Sequence, residues 1–460
     1  MNFQPTHNPT QLVDILSEWI SKLSLPVRLI AGLAGLILMG TALLLLPGMA
    51  TRPLTFTEAI FTATSALTVT GLSVIVPGTD LTFAGQVVLL ALIQVGGIGL
   101  VIFTVVIFRM LGRRISVVDR MALRGMFGNV LPGGVIRLTM YVVIGVLIIE
   151  AVGALLLWTL WTPKLGSAQA LWFAIFHSVS AFCNSGFDLF AGVPGYTTIP
   201  NDSGTLAVLG TLIFIGSLGV PVLADLVAAR RKEHHLTLHT RLTLIFVIVL
   251  MALSTTTIFI ADGVQGGVMA EEPVNRQIGL ALFQSVSART AGYAGMPDFD
   301  EIAAPSRLML IIVMFVGAAP ASMGGGITTG TAIALTLALW SYARNRPYPE
   351  VGGRTISTAT IRRATAVLTI SIAVVLTATI LISLSNPYKV AEEVLFEVVS
   401  AFATCGLTLL HTPALNTAGR YVIILVMIWG RLGALTIIMA LARPVKQSLY
   451  VFPEEQIMIG

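Results

Sequence analysis

The sequence predicts an all-α polytopic membrane protein built from four tandem repeats. Each repeat is a spanning helix, a short re-entrant helix and a second spanning helix, set about a central axis. Three observations predict this. Charged residues make up 11% and hydrophobic residues 55% of the 460 residues, with mean hydropathy +0.90. A soluble protein of this length needs far more charge to cover its surface. Eight apolar runs, at 28–47, 84–108, 139–160, 206–228, 242–261, 308–340, 364–384 and 421–442, each reach the roughly 20 residues that cross a ~30 Å hydrocarbon core. Finally, a shorter semi-apolar segment ending in glycine recurs four times between these runs.

From the N-terminus, residues 1–25 lack the basic n-region of a signal peptide. Leu12, Ile15, Leu16, Trp19, Ile20 and Leu23 share one helical face, which predicts an amphipathic cytoplasmic segment lying at the membrane interface. Repeat 1 then runs over 26–112. Repeat 2 covers 113–232 with its preceding loop, repeat 3 covers 233–347, repeat 4 covers 348–443, and 444–460 form a tail. Seventeen of the 27 Lys and Arg fall in the two tails or in three loops. The loops carry Arg109, Arg113, Arg114, Arg120, Arg124 and Arg137; Arg230, Arg231, Lys232 and Arg241; and Arg344, Arg346, Arg354, Arg362 and Arg363. That bias puts tails and loops in the cytoplasm. Charges spread so thinly along short loops do not make a nucleic-acid surface. Most acids lie on the other side, among them Glu58, Asp80, Asp188, Asp202, Glu271, Glu272, Asp298, Asp300 and Glu301, where they favour cations. Cys183 and Cys405 have no zinc-type spacing and read as free thiols.

The repeated segments are AIFTATSALTVTGL (59–72), AIFHSVSAFCNSGF (174–187), ALFQSVSARTAGY (281–293) and VLFEVVSAFATCGL (394–407). All share Phe, then Ser-Ala, then a small or polar triplet ending at Gly71, Gly186, Gly292 or Gly406. These glycines stand 115, 106 and 114 residues apart, the length of one full repeat, and the third copy is one residue shorter before its glycine. Duplication of a helical hairpin packed through Ser-Ala and Gly is the simpler reading. Yet so few apolar residues cannot span, so each segment enters the membrane and returns. Non-helical backbone is tolerated at that depth only where it is buried in protein or lines a water-filled cavity. Four such units around one axis provide that cavity.

Each short helix would point its negative C-terminal end at the cavity. Thr68 and Val69–Thr70–Gly71, Asn184–Ser185–Gly186, Thr290–Ala291–Gly292 and Thr404–Cys405–Gly406 would follow as extended backbone. Their carbonyls could replace the hydration shell of an ion, with glycine supplying the backbone freedom. No triplet contains a carboxylate, and Mg²⁺ gives up its waters reluctantly; the chemistry suits a monovalent cation. His177 reads as a packing residue and Arg289 as a brace behind the third segment. Gln94, Gly96, Gly97, Gly99, Gly216 and Gly219 read as close-packing sites.

The apolar stretch from Leu308 to Tyr342 is too long for one straight span. GAAPASMGGGITTG, residues 317–330, interrupts it with Pro320 and five glycines. At roughly 1 kcal/mol per glycine against alanine, an unwound lid is favoured over a Pro-kinked helix. Its residues are Gly317, Pro320, Ser322, Gly324, Gly325, Gly326, Thr328 and Thr329, with the three hydroxyls expected to satisfy freed backbone. Arg431 lies in the last apolar run; a charge there either faces a water-filled interior or pairs with a buried acid such as Glu150 or Asp225.

With TVTGL, RTAGY and one glycine in each of four repeats, the chain resembles the Ktr/Trk/HKT superfamily of potassium transporters, in particular the membrane subunit of bacterial Ktr systems. The similarity covers about residue 26 to Gly460. It implies four M1–pore helix–M2 units, with eight spanning helices and four re-entrant pore helices around a central pore in the bacterial cytoplasmic membrane. It also implies a K⁺ selectivity filter at the four glycines and a flexible intramembrane loop in the third repeat. An arginine beneath the filter is matched by Arg431. Having one glycine per repeat, where potassium channels have TVGYG, loosens the filter and leaves room for Na⁺ to activate or permeate. The tail VFPEEQIMIG resembles subunits whose C-termini meet in a homodimer. The partner implied is a cytoplasmic ring of nucleotide-binding RCK-type domains, alongside membrane lipids. This chain has no strand–GxGxxG–helix unit and no Walker motif, so it is expected to bind no cofactor of its own.

Three functions compete on this sequence. A gated single-file pore for K⁺ uptake leads, driven by about 2.3 kcal/mol per 100 mV of membrane potential. An alternating-access symporter would require inverted repeats, whereas these run in one direction. A membrane enzyme would require a dyad or metal set, and the six histidines are scattered.

Overall fold

The computed structural model describes residues 25–99, 132–229, 235–433 and 436–437. The amphipathic segment 1–24, the C-terminal tail and most of the first basic loop lie outside these residues. The fold is almost entirely helical, and the same order of elements occurs four times. First come α1 (Leu25–Leu44), α2 (Phe56–Leu67) and α3 (Phe83–Ile98). The second set is α4 (Pro132–Leu165), α5 (Ser167–Phe182), α6 (Ser203–Ser217) and its bent continuation α7 (Val220–Ala228). The third is α8 (Leu238–Ile258), α9 (Val274–Ser287), α10 (Ala304–Phe315) and α11 (Thr329–Ala343). A two-residue hairpin, β1 (Glu350–Val351) with β2 (Arg354–Thr355), leads to α12 (Thr358–Ser385), α13 (Ala391–Ala403) and α14 (Thr417–Leu432).

The short helices α2, α5, α9 and α13 form the centre. Phe61, Phe176, Phe283 and Phe396, the repeated aromatic of each, are buried. Every third helix packs against the short helix of the next set: α3 on α5, α6 on α9, α10 on α13, and α14 back on α2. The four sets therefore close into a ring.

The long first helices behave as the sequence predicts. Pro26–Leu44, Met140–Leu165, Leu238–Val264 and Thr358–Ser385 are each long and apolar enough to cross a membrane. Three of the other four predicted spans need correction, because the sequence reading broke only the third. Among the described residues, α3 ends at Gly99 (φ 90°), α6 turns by 97° into α7 at Gly219 (φ 82°), and α14 ends at Gly433 (φ 77°). Positive φ stops a helix at the cost glycine alone avoids. The signal was the spacing Gly96-x-x-Gly99, Gly216-x-x-Gly219 and Gly430-x-x-Gly433. Its first glycine is a packing site, as predicted for Gly96 and Gly216 and not read for Gly430: a Cβ on Gly96, Gly216 or Gly430 would lie 2.4, 2.1 or 2.0 Å from the carbonyl oxygen of Leu67, Phe182 or Phe402. Its second glycine is a breakpoint, and among the described residues Gly99 has no neighbour within 4 Å of a would-be Cβ.

Capping explains where the third helices begin. Thr82, Asp202 and Asn416 accept from the backbone of Gly85, Thr205 and Gly419. In the third set the cap position holds Ala303, which has no side-chain acceptor. Buried Asp262, from the π turn after α8, substitutes: it accepts from Ala303 N at 2.8 Å and from the Ser306 hydroxyl. Asp262→Ala strands both donors and is expected to cost about 2–4 kcal/mol, read as a lower unfolding midpoint in detergent. A midpoint unchanged from wild type would remove this capping role.

Candidate functional site

The four repeated segments end together at the centre of the ring. Each short helix stops before its triplet, and the chain then leaves helical geometry in the same way four times. The residue two before each glycine has positive φ: Val69 51°, Asn184 56°, Thr290 86° and Thr404 49°. The glycines follow at 83°, 70°, 73° and 102°. Left-handed backbone at a non-glycine residue is costly and persists only where surroundings enforce it. Here the repeated Ser supplies an anchor. The Ser65, Ser180 and Ser400 carbonyls accept from Thr70, Ser185 and Cys405 N at 2.8, 2.7 and 2.8 Å, five residues on. In the shortened third copy Ser287 O accepts from Ala291 N at 2.8 Å, four residues on, which absorbs the missing residue. Hydroxyls of the same serines hold the chain beyond: Ser180 donates to Phe187 O, Ser287 donates to Tyr293 O, and Ser400 accepts from Gly406 N. The Ser of each Ser-Ala pair is therefore an anchor as well as a small packing residue.

The decisive geometry lies between repeats. A Cβ placed on Gly71 would sit 2.1 Å from Ser185 O, on Gly186 2.3 Å from Ala291 O, on Gly292 2.1 Å from Cys405 O, and on Gly406 2.3 Å from Thr70 O. Each carbonyl belongs to the residue before the next repeat's glycine, and the fourth contact returns to the first repeat. The cycle is closed and head-to-tail. All thirteen predicted residues, Thr68 to Gly71, Asn184 to Gly186, Thr290 to Gly292 and Thr404 to Gly406, lie in or against it. The non-glycine members are buried. Asn184 and Thr290 side chains meet at 3.0 Å across the second and third repeats, and the Thr68 and Thr70 hydroxyls meet at 2.8 Å. Cys183 and Cys405 are buried and unpaired, as predicted. A cavity of about 170 Å³, lined by Gly186, Asp188, Gly292, Tyr293, Gly406 and Thr408 among others, lies on one side of the ring.

On the other side lies the Gly-rich segment, where residues 316–328 form no helix. It presses directly on the ring. Cβ atoms on Gly324 and Gly325 would come within 2.0 and 2.6 Å of the Thr290 and Thr404 hydroxyls. The breakpoint of the second set fastens one flank: Ala319 N donates to Ser217 O, Met323 N to Gly216 O, and Val220 N to Ala321 O. Gly219 faces Pro320 O closely, a Cβ there falling at 2.5 Å, and Gly317 faces Gly325 O at 2.2 Å by the same measure. Gly326 has φ 78°. Thr329 satisfies freed backbone, its N donating to Ala318 O at 3.0 Å and its hydroxyl to Gly317 O at 3.4 Å. Two expectations fail here. The Thr328 hydroxyl meets Thr331 instead of backbone, and buried Ser322 Oγ has no hydrogen bond among the described residues.

Arg431 fastens the other flank. Its guanidinium donates to Met323 O of the segment and to Gly96 O at the end of α3. Among the described residues, Arg431 forms no ion pair with either acid. Glu150 instead accepts from Gln94 Nε2 at 3.1 and 3.2 Å, and Asp225 accepts from Thr237. A cavity of about 380 Å³ is lined by Gly96, Gly99, Ser322 to Gly326 and Arg431, among others. His177 is buried among aromatic rings, as predicted, but its Nε2 also meets Asp188 Oδ1 at 2.9 Å. Arg289 is buried with Nε and Nη2 unpartnered among the described residues.

Spanning helices around converging short helices define a polytopic all-α membrane protein organised for transport. A family model described as cation transport protein, TrkH, matches residues 35–450. The chain belongs to this family of ion transporters, and it is not an enzyme. It is 35% identical to Ktr system potassium uptake protein B of Vibrio alginolyticus, over 95% of each chain. It is 33% identical to the protein of that name from Bacillus subtilis, over 97% of this chain and 99% of that one. Potassium/sodium uptake protein NtpJ of Enterococcus hirae is 32% identical over 97% of this chain and all of its own. Among solved structures, the potassium transporter TrkH from Vibrio parahaemolyticus has the same fold, with TM-score 0.70 and 19% identity over 91% of this chain and 84% of that one.

Proposed function

We propose that the chain carries K⁺ into the bacterial cell through a gated single-file pore along the axis of the ring. Its repeats are those read from sequence, at 26–112, 113–232, 233–347 and 348–443. The observation that carries this is the closed cycle of four glycines and four carbonyls. Backbone oxygens converging from four chain segments can replace the shell of a monovalent cation, and four short-helix C-termini add negative potential. The thirteen ring residues act as the selectivity filter. The segment at 317–330 acts as the gate, with Arg431 as its latch and positive barrier. Na⁺ activates or permeates, a reading favoured by the potassium/sodium name of one relative. Both termini face the cytoplasm by the basic bias of the loops. The relatives' place in a Ktr system favours a membrane subunit that works with a separate component, which by the sequence resemblance is a nucleotide-binding RCK-type ring on a homodimer in lipid.

Flux into proteoliposomes tests this against alternating-access coupling. With a K⁺ gradient and no Na⁺, a pore moves K⁺ down its gradient and sets a membrane voltage. If K⁺ moves only with a co-supplied ion at fixed stoichiometry, the symporter reading replaces the pore.

A further inference from the structure

We propose that Asp188 is the carboxylate that draws cations to the mouth of the pore, and that His177 is the residue that positions it. This rests on the pore reading above. The second residue after each ring glycine is Ser73, Asp188, Ala294 or Thr408; Asp188 alone is charged. It lines the cavity of about 170 Å³ that three of the ring glycines also line, with 18% of its side chain exposed. Its Oδ1 accepts from Phe190 N at 2.7 Å and meets His177 Nε2 at 2.9 Å, the ring nitrogen that Leu189 N also approaches at 3.3 Å. Among the described residues no hydrogen bond goes to Oδ2, and the one basic side chain that pairs with the carboxylate is His177.

His177 is a rigid post. Its Nδ1 meets Phe173 O at 2.7 Å, one turn back on α5, and its ring is enclosed by Trp161, Phe173, Phe176 and Phe190. The residue after the repeated Phe is Thr62, His177, Gln284 or Glu397, and in three repeats it ties down the chain beyond the ring. Gln284 accepts from Gly295 N at 3.1 Å, and Glu397 accepts from the Thr412 hydroxyl at 2.5 Å. The tie is thus a shared structural task, which a neutral side chain performs in the third repeat. Only in the second repeat does it hold a carboxylate at the cavity. A poorly hydrated charge is costly to keep, and fixing the loop does not require one. A fixed negative charge at a narrow mouth raises the local cation concentration.

The test is K⁺ uptake against K⁺ concentration in proteoliposomes at low ionic strength. Asp188→Asn retains the shape and an acceptor for Phe190 N. It is expected to raise the half-saturating K⁺ concentration about three- to tenfold, the scale of one charge a few ångströms from the ion in a partly aqueous mouth. The change should fall on half-saturation and spare the maximal rate, and K⁺ against Na⁺ preference should stay. Impermeant salt near 1 M, with a Debye length of about 3 Å, should erase the difference. His177→Phe should reproduce the shift, and His177→Gln, which retains a donor, should largely restore wild-type half-saturation. An Asp188→Asn protein with wild-type half-saturation at low salt, or with a shift that persists in high salt, overturns the proposal. If that happens while Gly406→Ser still alters cation discrimination, only this inference falls; if Gly406→Ser is silent as well, the pore reading falls with it.

Discussion

Gly406→Ser is expected to cut K⁺ uptake at limiting K⁺ by at least about tenfold and to narrow the preference for K⁺ over Na⁺. Two independent costs converge on that backbone. Its φ of 102° lies where L residues are strained, by roughly 1–3 kcal/mol. The new Cβ would lie 2.3 Å from Thr70 O, with Gly71 Cα at 3.3 Å, so backbone of the first repeat must move. The obstacle is not a flexible side chain that could swing away. Because the contacts run head-to-tail around the cycle, displacement of Thr70 is felt by the carbonyl ring on its far side too. A tenfold loss corresponds to about 1.4 kcal/mol, within the cost expected when strain and clash both fall on the ring itself. Gly292→Ser should behave alike, since Cys405 O would be 2.1 Å away. Gly48→Ser and Gly195→Ser are the controls: φ is 87° and 88°, yet nothing lies within 4 Å. They bear the strain without the clash and should transport normally. Unaltered affinity and selectivity in both Gly292→Ser and Gly406→Ser would remove the filter assignment.

The cycle was legible from sequence because duplication left a mark on it. Phe, Ser-Ala and a terminal glycine at matched spacing show four copies of one backbone path, and a path too short to span must turn back. Which repeat touches which was not legible, since the Gly71–Ser185 and Gly406–Thr70 contacts join residues far apart in the chain. The Gly-rich interruption at 317–330 stood out through Pro320 and local glycine density. The breaks at Gly99, Gly219 and Gly433 did not, because a Gly-x-x-Gly pair inside an apolar run looks the same whether it packs a helix or ends one. Only the sign of φ separates them. His177 was half read: an apolar neighbourhood predicts its burial, but the bond to Asp188 depends on how the chain folds back after Gly186. Arg431 was placed as a charge in the interior without its partners, which are carbonyls and carry no signature in side-chain identity.

Those partners make Arg431 the second strong test. Arg431→Gln is expected to raise resting K⁺ flux about tenfold, with K⁺ against Na⁺ preference little changed. The arginine contributes in two separable ways. As a charge beside the proposed conducting path it would repel the ion, by an amount of order 1 kcal/mol even in a largely aqueous cavity. As a planar donor it joins Met323 O to Gly96 O, tying the segment beneath the ring to the broken end of α3. Met323 N is already committed to Gly216 O, so the segment is held from two sides, and loss of Arg431 frees one. Arg431→Lys separates the two contributions: it retains the charge but a single ammonium does not reproduce the guanidinium fork. Flux that stays low in Arg431→Lys and rises in Arg431→Gln assigns the barrier to charge. Flux that rises in both assigns it to the latch. If neither variant conducts faster than wild type, Arg431 is neither, and the segment at 316–328 must be held shut by its bonds to Gly216, Ser217 and Val220 alone.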